Sequence, residues 1–345
     1  MTLLLGRSDL ERVLDVPTCL DALRHGFATV GSGEGGSGEG GSGEGGSGEG
    51  GSGEQDISAR RVRTDLPGPG TATALMPGLV PGVPAYTVKV NAKFPGARPA
   101  LRGLVCLHDL GSGELLAVLD SATVTAWRTG LAAALGTHLL ARPEVARVGV
   151  VGAGAQADLV VRGLSVLRTV RGLAVHDVDP DRARAFGEAH VRRGTGDGAA
   201  VEVVVAADPA EVARRCGIVV LATWARSPLL SRADVPSGTH LSSLGADEPG
   251  KAELTADLLR HARVFVDDVD LAVAAGALGN VGLGPDEAAG TLGEVLTGRV
   301  AGRSAPEQVT VYAPVGLPWQ DLALSWLAYD AARASGLGTS YDWLA

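Results

Sequence analysis

Between residues 147 and 177 the spacing of apolar positions changes character several times. Positions 148–151 form a short apolar run without alternation, the pattern of a strand covered on both faces. A glycine turn follows, then an apolar stretch of helical period, then a second apolar run at 173–175 that closes on Asp177. The alternation continues, with helix predicted at 181–190 and 209–215 and strands at 201–205, 218–222, 240–244 and 264–266. Strands and helices alternating in this way predict an α/β chain with a doubly wound parallel sheet. Ahead of residue 121 the period is different. Residues 86–94, YTVKVNAKF, alternate strictly; 61–64 read as another strand, and 104–109 with 114–120 predict a hairpin around LGSG. This half is expected to be mainly antiparallel sheet, preceded by a helical region over 10–30. An alanine- and leucine-rich helix over 121–141 leads into the doubly wound part. The chain closes with a strand at 309–312 and an amphipathic helix at 320–334 whose docking partner the pattern does not identify.

Residues 31–54 break both periods, reading GSGEG four times and then GSGE. A tract of glycine, serine and glutamate has no apolar surface to bury, so it is expected to be a flexible linker. Removing all but one GSGE leaves an ordinary helix-to-strand connection, so the tract reads as an expanded loop. Its five glutamates carry more than half of the net charge of -9. The acidic balance and the lack of basic clusters with interleaved aromatics argue against nucleic acid and leave small metabolites as the expected partners. With 345 residues and 45% hydrophobic content, the chain has material for two domains. Cys19, Cys106 and Cys216 are scattered, without CxxC spacing, and are expected to be packing residues in a reducing cytoplasm. The first dozen residues lack the apolar core of a signal peptide, and no apolar run reaches the length of a membrane span.

The glycine turn carries the first candidate chemistry. Gly152 permits a tight strand-to-helix turn, Gly154 lets backbone approach a pyrophosphate, and Ala157 is small enough for close helix–sheet packing. Backbone N–H groups at the helix start, around Ala155 and Gln156, are placed to receive phosphate. Asp177 ends the second strand, where a carboxylate hydrogen-bonds the ribose 2′-hydroxyl and repels a 2′-phosphate, favouring NAD over NADP. The expected cofactor is therefore NAD, in a Rossmann-type domain.

Loops after the strands of such a sheet carry substrate chemistry. Asp247, in LGADEPGKAEL, follows the strand at 240–244 and is a candidate for proton transfer, with turn capping as the alternative reading. Three cations stand out in the other half: Arg63, Lys89 within the alternating strand, and Arg128 in the helix beside Trp127 and Thr129. Isolated cations of this kind are commonly solvated or snorkelling. Arg128 is the least ordinary, because a guanidinium in an apolar helix needs a partner, and a substrate carboxylate suits it. No histidine pair has metal-ligand spacing, and no metal is expected.

Several longer stretches resemble the ornithine cyclodeaminase and mu-crystallin family: LMPG at 75–78, TVKV at 87–90, SGELLAVLDSATVTAWRTG at 112–130, VGAGAQA at 151–157, GADEPGKAEL at 245–254, ADLLRHARVFVD at 256–267 and LGEVLTG at 292–298. The resemblance implies a homodimer. It implies a substrate and dimerisation domain of α+β type over 1–127 with 313–345, and an NAD-binding domain over 128–312. It further implies that Arg63, Lys89 and Arg128 hold a substrate carboxylate, that Asp247, with Lys89, serves the reaction, and that Thr129 joins Gly152, Gly154, Ala155, Gln156 and Asp177 around the cofactor. The implied activity is NAD-dependent chemistry at the α-carbon of an amino or imino acid. Its leading form is conversion of L-ornithine to L-proline and ammonia with internal hydride return. Ketimine reduction, alanine-type dehydrogenation and non-catalytic binding of the crystallin kind are the alternatives. Two positions depart from the family pattern: Ala74, where cyclodeaminases carry a glutamate two residues before MP, and Pro314, where serine is common.

Overall fold

The computed structural model describes residues 1–32, 62–68, 70–94, 96–97, 99–194 and 200–343. Apart from Gly31 and Ser32, which finish a helix, the predicted linker lies outside the described residues. The strands in chain order are β1 (Thr2–Leu5), β2 (Val62–Asp65), β3 (Ala72–Gly78), β4 (Ala85–Lys93), β5 (Leu101–Asp109), β6 (Leu115–Asp120), β7 (Arg147–Val151), β8 (Gly172–His176), β9 (Glu202–Val205), β10 (Ile218–Leu221), β11 (His240–Ser243), β12 (Arg263–Val266), β13 (Ala288–Thr291), β14 (Thr310–Tyr312) and β15 (Thr339–Tyr341). The α-helices are α1 (Arg7–Val13), α2 (Val16–Gly31), α3 (Ser121–Leu140), α4 (Ala155–Leu167), α5 (Pro180–Arg193), α6 (Pro209–Arg215), α7 (Ala256–His261), α8 (Val269–Ala274), α9 (Leu292–Leu296) and α10 (Pro318–Ser335).

Two sheets organise the chain. The second has eight strands in the order β13-β12-β14-β11-β10-β7-β8-β9. Each of its pairings is parallel, as the unbroken apolar runs predict. From β7 the chain moves outward through β8 to β9, then returns to lay β10 on the other side of β7. The crevice at this reversal, outside the carboxyl ends of the strands, is where such sheets take ligands.

The first sheet has seven strands in the order β15-β1-β6-β5-β4-β3-β2. It is antiparallel as predicted, except that β1 lies parallel to β6. Strands β1, β3, β13 and β15 were not predicted. In β3 the obscuring feature is Pro77, which removes a ladder donor; among the described residues β2 reaches only as far as Leu75, so Pro77 lies beyond that pairing. The single helical region predicted at 10–30 is two helices. Asp15 caps α2 by accepting from Thr18 N at 3.0 Å, and Pro17 sits in its first turn, so the backbone is extended between them.

Helix α10 finds its partner in the first sheet and in α2 and α3. Its N-terminal half, residues 318–325, is buried all round, more than an amphipathic stripe would require. Helix α3 also contacts β11 and β14, so it packs on both sheets, and the boundary expected at 127/128 falls within it. Gly130 lets α3 approach α4, since a Cβ there would stand 2.5 Å from that of Leu159.

Register divides β2–β5 into two chemically distinct faces. Val62, Leu75, Val90 and Leu104 lie opposite one another in one row across four strands, and all are exposed. On the other face, Arg63 is paired with Ala74 and Ala74 with Asn91, flanked along β4 by Lys89 and Lys93.

Candidate functional site

The glycine turn forms as expected at the end of β7. Gly152 has φ +93°, and a Cβ there would meet the carbonyl oxygen of Ala222 at 2.5 Å, so both the dihedral and the space require glycine. Gly154 caps α4, and the space its Cβ would fill is open. Ala155 and Gln156 begin that helix, while Ala157 is buried beneath it. Asp177 braces the turn by accepting from Ala153 N at 2.8 Å and Asp179 N at 3.0 Å. A carboxylate has about four lone-pair sites, so capacity remains for a ribose hydroxyl. The buried hydroxyl of Thr129 has no hydrogen-bond partner among the described residues. Open space over Gly154, exposed helix-start donors and an acid at the second strand are what a dinucleotide needs.

The predicted substrate cations separate into two clusters. Lys89, 0% exposed, donates to Asp321 of α10 at 2.5 Å. Arg128 Nε lies 3.3 Å from the other oxygen of the same carboxylate, and its Nη1 donates to Gln320 Oε1 at 3.3 Å. Gly316 borders this group with φ +96°, and a Cβ there would overlap the Arg128 guanidinium. The backbone at Gly316 is held by Asp267, at the end of β12, whose carboxylate accepts from Val315 N at 2.9 Å and Gly316 N at 2.6 Å. Burial pushes the Asp267 carboxyl up, against the pull of these two donors.

Arg63 belongs to the second cluster, with Asp247. Its Nη1 donates to Glu248 at 2.6 Å and its Nη2 to Asp65 at 2.7 Å. Lys93 donates to the other Glu248 oxygen, and Lys251 lies 3.4 Å from that oxygen while donating to Asp247 at 2.7 Å. Trp224, in the loop after β10, lies under both ammonium groups, 4.5 Å from Lys93 and 4.9 Å from Lys251. Burial, with Lys251, Arg63 and Arg226 nearby, pushes Lys93 down to about 8, Asp247 acting in the opposite sense. The side chain of Asp247 is 39% exposed. Its loop is fixed at both ends: Asn280 binds Glu248 O and Gly250 N. Buried Glu253 accepts from Thr223, Ser243 and Gly245.

This second cluster joins the polar face of the first sheet to the carboxyl edge of the second. It brings Arg63 and Asp247 together, whereas Lys89 and Arg128 meet around Asp321. Lys89 and Lys93 share a face of β4 about 13 Å apart, at the rise of an extended strand. Lys93, Glu248, Lys251, Asp267 and Asp321 were not among the predicted residues. Lys93 lies on the alternating strand at 86–94, Glu248, Lys251 and Asp267 lie in the stretches at 245–254 and 256–267, and Asp321 lies in the C-terminal helix; their long-range partners are what local pattern does not show.

A doubly wound parallel sheet with a glycine turn at its switch point defines a Rossmann-type protein. Residues 66–336 match the model of the ornithine cyclodeaminase/mu-crystallin family, and the chain belongs to that family. It is 31% identical over 246 residues to an alanine dehydrogenase of Archaeoglobus fulgidus, covering 70% of this chain and 74% of that protein. It is 26% identical over 280 residues to a Delta(1)-pyrroline-2-carboxylate reductase of Bacillus cereus, covering 78% and 84%. Among solved structures, an archaeal alanine dehydrogenase dimer with bound NAD superposes with a TM-score of 0.83 at 25% identity, covering 99% of each chain.

Proposed function

We propose that this chain is an NAD-dependent oxidoreductase that interconverts a small α-amino acid and its imino acid. The observation that carries the reading is the contact between the cation-bearing face of β2–β4 and the loop of Asp247 at the carboxyl edge of the second sheet. In this reading Gly152, Gly154, Ala155, Gln156, Thr129 and Asp177 hold the cofactor. The nicotinamide supplies the acceptor or donor of hydride. Arg63 and Arg128 bind the substrate carboxylate, and Lys89 adds positive charge from beneath while holding Asp321. Fixing the carboxylate fixes the α-carbon, and orientation of this kind is a large part of what a protein adds to hydride transfer. Asp247 takes a proton from the substrate ammonium, freeing the nitrogen lone pair that drives hydride loss from the α-carbon. In the reverse direction it returns a proton to nitrogen. The products of oxidation are the imino acid, reduced cofactor and one proton.

Ala74 favours release of the product after a single hydride transfer. It lies in the row between Arg63 and Asn91, so the place where cyclodeaminases carry a carboxylate has only a methyl group beside cations. Residue 74 itself therefore supplies no carboxylate for the second amine that cyclisation requires.

The test is a screen of 2-oxo acids with ammonia, and of cyclic imines, followed at the nicotinamide absorbance with NADH. Stoichiometric oxidation of NADH is expected, with Asp247→Asn lowering turnover by about two orders of magnitude or more. Proline and ammonia formed from ornithine with catalytic NAD would establish cyclodeamination instead. Binding without turnover of any of these compounds would indicate a crystallin-like role.

We also propose a homodimer, with the exposed row of Val62, Leu75, Val90 and Leu104 covered by the partner. Sedimentation of Leu104→Glu is expected to show monomer where the unmodified chain shows dimer.

A further inference from the structure

One carboxylate in this molecule is held as a ligand would be. Glu248 receives Arg63 on one oxygen and Lys93 and Lys251 on the other, with Trp224 closing the side beneath the two ammonium groups. Three cations around one carboxylate form the kind of nest that recognises the carboxylate of an amino acid.

A strut holding the loop in place is the ordinary reading of such a contact, but the loop has other anchors. Asn280 holds its backbone at Glu248 and Gly250, and Glu253 secures its ends through four hydrogen bonds. The cations are provided for as well. Arg63 keeps Asp65, and Lys251 keeps Asp247, when Glu248 is elsewhere. Lys93 retains the face of Trp224. The Glu248 side chain can therefore leave without stranding what it touches.

We propose that Glu248 is an internal competitor for the substrate carboxylate, occupying Arg63, Lys93 and Lys251 in the ligand-free protein and displaced when a carboxylate ligand enters. This rests on the reading of Arg63 as a substrate-carboxylate contact. The exchange replaces one anion by another, so the cations are never buried together uncompensated. Its consequence is a uniform weakening: every carboxylate ligand binds with only the fraction of its intrinsic affinity that remains after Glu248 has been displaced.

Glu248→Gln removes the competing charge at nearly constant shape, and Glu248→Asp keeps the charge but shortens its reach. The full-length protein saturated with NADH is titrated calorimetrically with L-alanine and with L-proline. Both variants are expected to bind at least one of the two about 5-fold to 50-fold more tightly than the unmodified chain. KM should fall by a similar factor while kcat changes little, a split that a strut does not produce. In an Arg63→Met background the gain should disappear.

Unchanged or weaker binding in folded Glu248→Gln, with NADH affinity intact, overturns the proposal while leaving the amino acid site standing. Gain in Glu248→Gln that persists without Arg63 also overturns it, because the competition would then lie elsewhere. If unmodified and variant proteins bind NADH but neither amino acid, the reading of the site fails and this inference fails with it.

Discussion

Asp321 and Glu248 each gather cations from the same face of the first sheet, yet they stand in different surroundings. Asp321 and Lys89 are 1% and 0% exposed, in a core closed over by α10. Glu248 is 11% exposed and its partners Lys93 and Lys251 are 12% and 8%, but its third partner Arg63 is 35% exposed and reaches it from an outer strand. Inside, each charge depends on its partner, because an ion left alone there has no water to turn to. At the margin, solvent and neighbouring carboxylates can take over. One cluster is therefore suited to fixing geometry and the other to exchanging partners, although both are built from the same few residue types.

The largest effect expected to test this contrast is that of Asp321→Ala, which removes the buried carboxylate that Lys89 and Arg128 share and should cost about 3–5 kcal/mol in urea unfolding. Gly316→Ala should follow at about 1–3 kcal/mol, from the strained left-handed backbone. It should also displace Arg128 and weaken amino acid binding, seen by calorimetry. Glu248→Gln should cost only about 1 kcal/mol or less in the same unfolding measurement. A loss as large as that of Asp321→Ala would abolish the distinction between the clusters.

Lys93 gives the smallest signal. Its ionised form is the costlier one in the folded state, so its contribution to stability is complete above the ordinary lysine value of 10.5. That contribution is lost as pH falls from there toward about 8. The difference in unfolding free energy between the unmodified chain and Lys93→Met should therefore change across that window and be flat below it.

The doubly wound sheet was legible because buried parallel strands leave continuous apolar runs, and the turn at Gly152 was legible because it needs glycine where backbone must bend. Asp177 followed from its place in the same unit. Lys89 and Arg128 were visible as exceptions in apolar patterns, and Arg63 as a cation on an expected strand. Their partners were not, since Lys89 meets Asp321 across 232 residues and Arg63 meets Glu248 across 185. Local periodicity contains no information about such contacts. Strand β3 was missed because Pro77 and Gly78 read as punctuation, although pairing with β4 makes it extended. The stripe on α10 told that it docks, but only the sheet and helices around it show that it is enclosed.

The placement of Arg63 has a mechanical consequence. Among the described residues it rides on β2, the outermost strand of its sheet, hydrogen-bonded to a neighbour on one side only, with Val62 facing outward beside it. On the proposed dimer and the proposed role of Arg63, a partner covering the outer face of β2–β5 turns a loose margin into an interior and stiffens the carboxylate contact, so that assembly and ligand affinity are coupled through a single short strand and dilution loosens the hold on substrate.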